Sequence, residues 1–117
     1  MVRPIKPRFI SAYPMITAFV PQGVNVAGEA ILTVDEFEAI RLSDFEHLDQ
    51  ENGAAMMGVS RHTFGRLLAS GRSIVADAMV TGKVLKIEGG TYEIRGPGHG
   101  RGRRRRGRGG GKGSGRL

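Results

Sequence analysis

A chain of 117 residues with 18 Lys/Arg, 11 Asp/Glu and no Cys has room for one small domain. It excludes disulfides, thiolate metal sites and a cysteine nucleophile. The net charge of +7 is uneven: residues 95–117 carry nine Lys/Arg and no acid, whereas residues 1–94 hold the other nine with all 11 acids and are net −2. The basicity therefore belongs to the tail and does not by itself make the folded part a nucleic-acid binder. His47, His62 and His99 lack ligand spacing, so neither a metal nor another cofactor is expected.

Residues 1–30 hold four of the five prolines and are expected to form an extended arm, with "MITAFV" (15–20) as one strand within it. In "LTVDEFEAIRLSDFEHL" (32–48), Thr33 followed by Glu36 fits a capping box. Val34, Phe37, Ile40, Phe45 and Leu48 then fall on one side of a helix. Arg41 sits in that stripe, so its stem is expected on the core and its head on a carboxylate or water.

Asp49 is expected to cap a short second helix ended by Gly58, and Ser60 to cap a third running to about Thr81 before Gly82. The third helix should bury Phe64, Leu67, Leu68, Gly71, Ile74, Val75, Ala78 and Met79, with Gly71 letting another helix come close. "KVLKIEGGTYEI" (83–94) predicts a β-hairpin turning at Gly89-Gly90. Residues 95–117 offer almost nothing to bury and should be disordered. The expected architecture is mainly α. It is a tri-helical helix-turn-helix over 31–94, winged or sigma-region-four-like, with a short C-terminal hairpin, the N-terminal arm and the tail.

The motif that carries function is "MGVSRHTFGRLLASGR" (57–72). A helix-turn-helix needs a small residue in its first helix, a glycine in its turn and apolar side chains where the helices meet. Ala54, Gly58, and then Met57, Val59, Phe64 and Leu67 fit those places. Gly53 stands where a larger apolar residue is common and suggests a loose first helix. Ser60, Arg61, His62, Gly65, Arg66 and Ala69 remain for the outer face, the face that enters a DNA major groove.

Ser60 and the free amides can meet a phosphate, while Arg61 and Arg66 can divide between a guanine edge and a phosphate. His62 can meet a base edge. Small Gly65 and Ala69 let the helix lie deep. Thr63, Ser70 and Arg72 fit flanking phosphates, and Gln50 fits a backbone contact.

At "LTVDEFEAIRL", "MGVSRHTF" and "GKVLKIEGG" the chain resembles an uncharacterised protein family of predicted DNA-binding proteins of bacteria and archaea, over about residues 3–92. The central part of that family is similar to region four of sigma factors. The resemblance implies a role like a transcription regulator's and supplies no target. Members often carry cysteines near the N-terminus, where this chain has Pro7 and Ser11, so any metal or redox role of those cysteines cannot operate here.

The tail residues Arg101, Arg103, Arg104, Arg105, Arg106 and Arg108 suit sequence-independent phosphate binding. The first expectation is a DNA-binding transcriptional regulator. A second is an RNA-binding or nucleoid-type protein acting through its tail, favoured by the acids of "DEFEAIRLSDFEHLDQE". A third is an adaptor docking on RNA polymerase. A homodimer is usual for the motif, because one reading helix contacts few bases. No catalytic constellation stands out, so an enzyme is not expected. Without a signal-peptide core or a long apolar run, a cytoplasmic, nucleoid-associated protein with no membrane partner is expected.

Overall fold

Thr33 opens the helical part as its sequence expects. Its hydroxyl accepts from the Glu36 amide at 3.3 Å, and the Glu36 carboxylate accepts from the Thr33 amide at 2.9 Å, a reciprocal cap. The computed structural model describes residues 7–95. From this cap α1 runs Val34–Ile40 and passes into a π-helical turn at Arg41–Phe45. Asp49 caps α2, Gln50–Met57, by accepting from the Asn52 amide at 2.8 Å. Gly58 ends α2 in the left-handed conformation at φ +68°, where glycine carries no Cβ penalty. Ser60 caps α3, Arg61–Thr81, which Gly82 closes.

Five short strands accompany the helices: β1 Arg8–Ile10, β2 Ala18–Phe19, β3 Glu29–Leu32, β4 Val84–Ile87 and β5 Tyr92–Ile94. They form two sheets. One holds β2, β4 and β3 in that order, with β2 antiparallel and β3 parallel to β4; the other pairs β1 with β5 in parallel. Parallel neighbours need a long crossover, and between β3 and β4 the three helices supply it.

Two apolar clusters result, and α3 spans both. Its first half places Phe64 and Leu68 among Ala39, Leu42, Ala54 and Met57. Its second half sets Ala78 against Leu32, Leu85, Ile87 and the rest of the sheet cluster. Gly71 lies where α1 crosses: a Cβ there would stand 3.0 Å from Ile40 Cδ1 and 3.3 Å from the Glu36 carbonyl oxygen. The close helix approach expected of Gly71 is present.

Several expectations are corrected. The hairpin does not form, because both edges of β4 are taken by β2 and β3, leaving none for β5. Gly89-Gly90 instead carries the chain across the start of α1, where the Gly89 carbonyl accepts from the Val34 amide at 3.0 Å. Without a hairpin after α3, the winged form of the expectation falls. In residues 1–30, Arg8–Ile10 pairs with β5, and only Ala18–Phe19 of "MITAFV" is strand, paired with β4.

Phe45 is exposed, not in the α1 stripe. The π turn adds a residue to the ladder, the Glu46 amide reaching back to the Arg41 carbonyl; side chains after Arg41 lag the α-helical spacing, and Leu42 fills the core instead. Met79 is 74% exposed and lies outside the buried face of α3. Gly53 marks tight packing, not looseness: a Cβ there would overlap the Phe64 ring, with 2.7 Å to Cε1.

Candidate nucleic-acid interface

The N-terminal half of α3 presents an exposed polar side because its opposite side is spent on Phe64 and Leu68. Ser60 is fully occupied as a cap. Its hydroxyl accepts from the Thr63 amide at 3.0 Å and donates to the Thr63 hydroxyl at 3.0 Å. The first turn carries no acid, so its remaining amides, together with the positive end of the helix dipole, favour an anion.

Beyond the cap, Gln50, Arg61, His62, Gly65, Arg66 and Ala69 line one shallow, open depression of about 430 Å³. Six of the ten helical residues expected at the site thus share one surface. Gln50, from the start of α2, lies over Gly65; a Cβ on Gly65 would stand 3.1 Å from Gln50 Oε1. Arg61, His62 and Arg66 are exposed, and among the described residues no carboxylate pairs with either arginine. Their guanidinium charges face solvent.

Ser70 and Arg72 have partners within the chain. The Ser70 hydroxyl donates to Glu36 Oε2 at 2.5 Å. Arg72 grips Asp44 with two hydrogen bonds, Nε to Oδ2 at 3.1 Å and the terminal nitrogen to Oδ1 at 2.6 Å. The Arg72 hydrogen bond lowers the Asp44 pKa from its ordinary value, and Asp44 raises that of Arg72 in turn. These two residues fasten α3 to α1 and the π turn. Thr63 is half-buried beside the Ser60 cap.

The acids of α1 are turned inward. Asp35 and Glu38 are only 2% and 3% exposed. Arg8 donates to Asp35 at 3.0 Å. Glu38 accepts from Arg41 at 2.9 and 3.0 Å and from both the amide and hydroxyl of Ser11 at 3.1 Å. Hydrogen bonding to Glu38 raises the Arg41 pKa despite the opposing effect of burial. The structural role expected for Arg41 is therefore the one it has. Ser11, which also accepts from Arg41 at 2.9 Å, serves this same network.

Sequence reasoning missed one feature beside the site. Phe9 of β1 lies over the α2–α3 turn, where a Cβ on Gly58 would stand 2.6 Å from its ring. The Arg95 guanidinium stacks on that ring, 3.6 Å from its centroid, a cation–π contact. Both contacts join residues distant in sequence, so no local pattern announces them. The tail arginines Arg101, Arg103, Arg104, Arg105, Arg106 and Arg108 lie outside the described residues. Among the described residues, no helix is long and apolar enough to cross a membrane.

The chain is similar to proteins of known sequence along most of its length. A UPF0251 protein of Caldanaerobacter subterraneus subsp. tengcongensis is 49% identical over 98 residues, which cover 82% of this chain and 83% of that one. Another, from Thermoanaerobacter pseudethanolicus, is 51% identical over 96 residues, covering 80% and 81%. No solved structure matches. The family model described as "Protein of unknown function DUF134" matches residues 1–95. The chain therefore belongs to the DUF134 family, whose members among its relatives carry the name UPF0251.

Proposed function

We propose that this protein is a transcriptional regulator that reads duplex DNA with the N-terminal half of α3. In this reading α2, the Gly58 turn and α3 are a helix-turn-helix of the sigma-region-four kind. One observation carries the proposal: Arg61, His62, Arg66 and Gln50 surround the small residues Gly65 and Ala69 on one exposed surface, with neither arginine held by a carboxylate among the described residues. Small residues at the middle of such a face let the helix approach base edges, and arginine matches the two acceptors of guanine. Gln50, at the amino end of α2, is suited to the phosphate backbone.

The negative balance of residues 1–94 weighs less against DNA than its sum suggests, although Asp49 and Glu51 stay exposed beside Gln50. Asp35, Glu36 and Glu38 are buried, and Asp44 and Glu46 are paired with Arg72 and Arg41. Ser70 and Arg72 drop out of the DNA-facing set, because their side chains hold α3 in place. Ser60 contributes through the amides that it leaves exposed rather than through its hydroxyl.

The tail adds sequence-independent affinity. Its first residue, Arg95, has its head stacked on Phe9 beside the Gly58 turn. Six residues of extended chain reach about 20 Å, so Arg101 and the arginines after it fall within range of phosphates flanking α3. Such a protein acts at the nucleoid, in the cytoplasm.

Selection from a random duplex library tests the reading. The wild type should enrich a defined motif, the Arg61→Ala/Arg66→Ala variant should lose it, and a variant lacking residues 96–117 should keep it at lower affinity. Enrichment that depends on the tail alone, or stronger retention of RNA than of duplex DNA, would favour the RNA-binding or nucleoid-type reading that the tail's charge also supports.

A further inference from the structure

At the far end of α3 the surface changes character. Between the C-terminal half of this helix and the β2 segment runs an apolar groove of about 320 Å³, walled by Phe19, Val20, Val75 and Met79. Around it Met79 is 74% exposed, Val80 83%, Val20 63%, Val24 62% and Phe19 53%. Val24 adjoins the groove, 3.7 Å from where a Cβ on Gly82 would lie. We infer that this groove is where a second copy of the chain docks, forming a symmetric dimer through the C-terminal half of α3.

The exposed apolar area points to a partner of this kind. A side chain of this class removes roughly 60–120 Å² of apolar surface from water when fully buried. Scaled by their exposure, these five offer roughly 200–400 Å². A standard interface takes ~800 Å² from each partner, a little over half of it apolar, and so needs ~450 Å² of apolar surface per side. The patch supplies about half or more of that area, and a solitary chain leaves it wet.

Charge at the rim permits a second copy. The basic residues at the rim are already balanced within the chain, Lys83 by Asp77 at 2.7 Å and Lys86 by Glu29 at 3.6 Å. Two identical faces can therefore meet about a twofold axis without net repulsion. Met79 and Val80 project as knobs from the helix beside a groove of side-chain size, which is the self-complementarity that a twofold contact requires.

The chain's own remaining segments do not fit the groove. Residues 96–117 contain only Pro97 and Leu117 as apolar side chains. Residues 1–6 precede β1, whose main packing partners are β5, α1 and α2 and which lies in a different sheet from the β2 that walls the groove.

A dimer hinged here also suits DNA reading by α3, though only this last point rests on that proposal. Fourteen residues of helix separate Gly65 from Met79, a lever of about 21 Å. Two such levers hinged at a shared end can set their tips one duplex turn apart, ~34 Å.

Sedimentation of the full chain without DNA tests the inference independently of the function. Over roughly 1–200 µM, the range for a modest interface, the mass should rise from 12.6 kDa to twice that value. Met79→Glu and Val80→Lys, both at exposed helix positions, should keep the wild-type circular dichroism and weaken association at least ~10-fold. Arg61→Ala/Arg66→Ala should dimerise like the wild type, whatever its effect on DNA. A wild type that stays monomeric throughout, leaving the groove to a foreign protein or a lipid surface, would overturn the inference. So would variants at Met79 and Val80 that dimerise unimpaired.

Discussion

Gly53 and Phe64 show how one residue can be read correctly in type and wrongly in reason. The glycine in α2 looks like a weak point, because glycine lowers helix propensity by about 1 kcal/mol against alanine. Its cause lies eleven positions on, in the Phe64 ring whose tip occupies the place of a Cβ. Gly58 was legible because a turn between two capped helices asks for a left-handed residue; the Phe9 ring that covers it was not, since β1 comes from 49 positions earlier. Gly53→Ala should cost about 1–3 kcal/mol in urea unfolding, the range for an overpacked core. A neutral or stabilising result would mean that the ring has room to move. Among the charged residues, Arg41 was legible in outline: a cation within an apolar stripe needs a nearby acid, and Glu38 stands one turn away.

The helices were visible element by element because each announces its own ends. Thr33, Asp49 and Ser60 cap the starts, and Gly58 and Gly82 the last two ends. Strand pairing was not visible, because a strand's partner is decided by which edge is free. The alternation in "KVLKIEGGTYEI" is real, yet β4 spends both edges on β2 and β3. The π turn was equally hidden: a single added residue leaves no mark in composition but rotates Phe45 out of the core.

That turn also holds α3 through Asp44 and Arg72. Because the folded pKa of Asp44 is lowered, its contribution is present above the ordinary carboxylate range and is lost as pH falls through that range towards the folded value. The pair is largely solvent-exposed and therefore screened. Asp44→Asn should thus destabilise by no more than about 0.5 kcal/mol at neutral pH, with the difference from wild type vanishing in acid and shrinking in high salt. Thermal melts at neutral pH and in acid below the carboxylate range measure it; an equal deficit at both would deny the pair its role.

For the whole molecule, charge and fold divide the labour. The folded part is slightly acidic in sum yet buries Asp35, Glu36 and Glu38 and pairs Asp44, Glu46 and Asp77, and leaves Arg61 and Arg66 unpaired by carboxylates among the described residues. The tail holds half of all the basic residues. Deleting residues 96–117 should lower duplex affinity on every sequence and flatten the salt dependence, by about 0.9 in log–log slope for each phosphate no longer neutralised. An unchanged slope in filter-binding titrations would remove the tail from the mechanism. Five of the six residues around the depression follow from helical spacing and Gln50 from its place at the start of α2, whereas the internal use of Ser70 and Arg72 depended on where α1 and the π turn lie.

The central claim is that the exposed side of α3 between Ser60 and Ala69, with Gln50 beside it, is the surface that touches duplex DNA. Amide chemical-shift mapping of the full chain, titrated with a duplex from the library selection, tests it most directly. The largest perturbations are predicted at Gln50 and residues 60–69, with smaller ones in the tail and little at the buried acids Asp35 and Glu38. Perturbations confined to residues 96–117, with α3 unmoved, would contradict it.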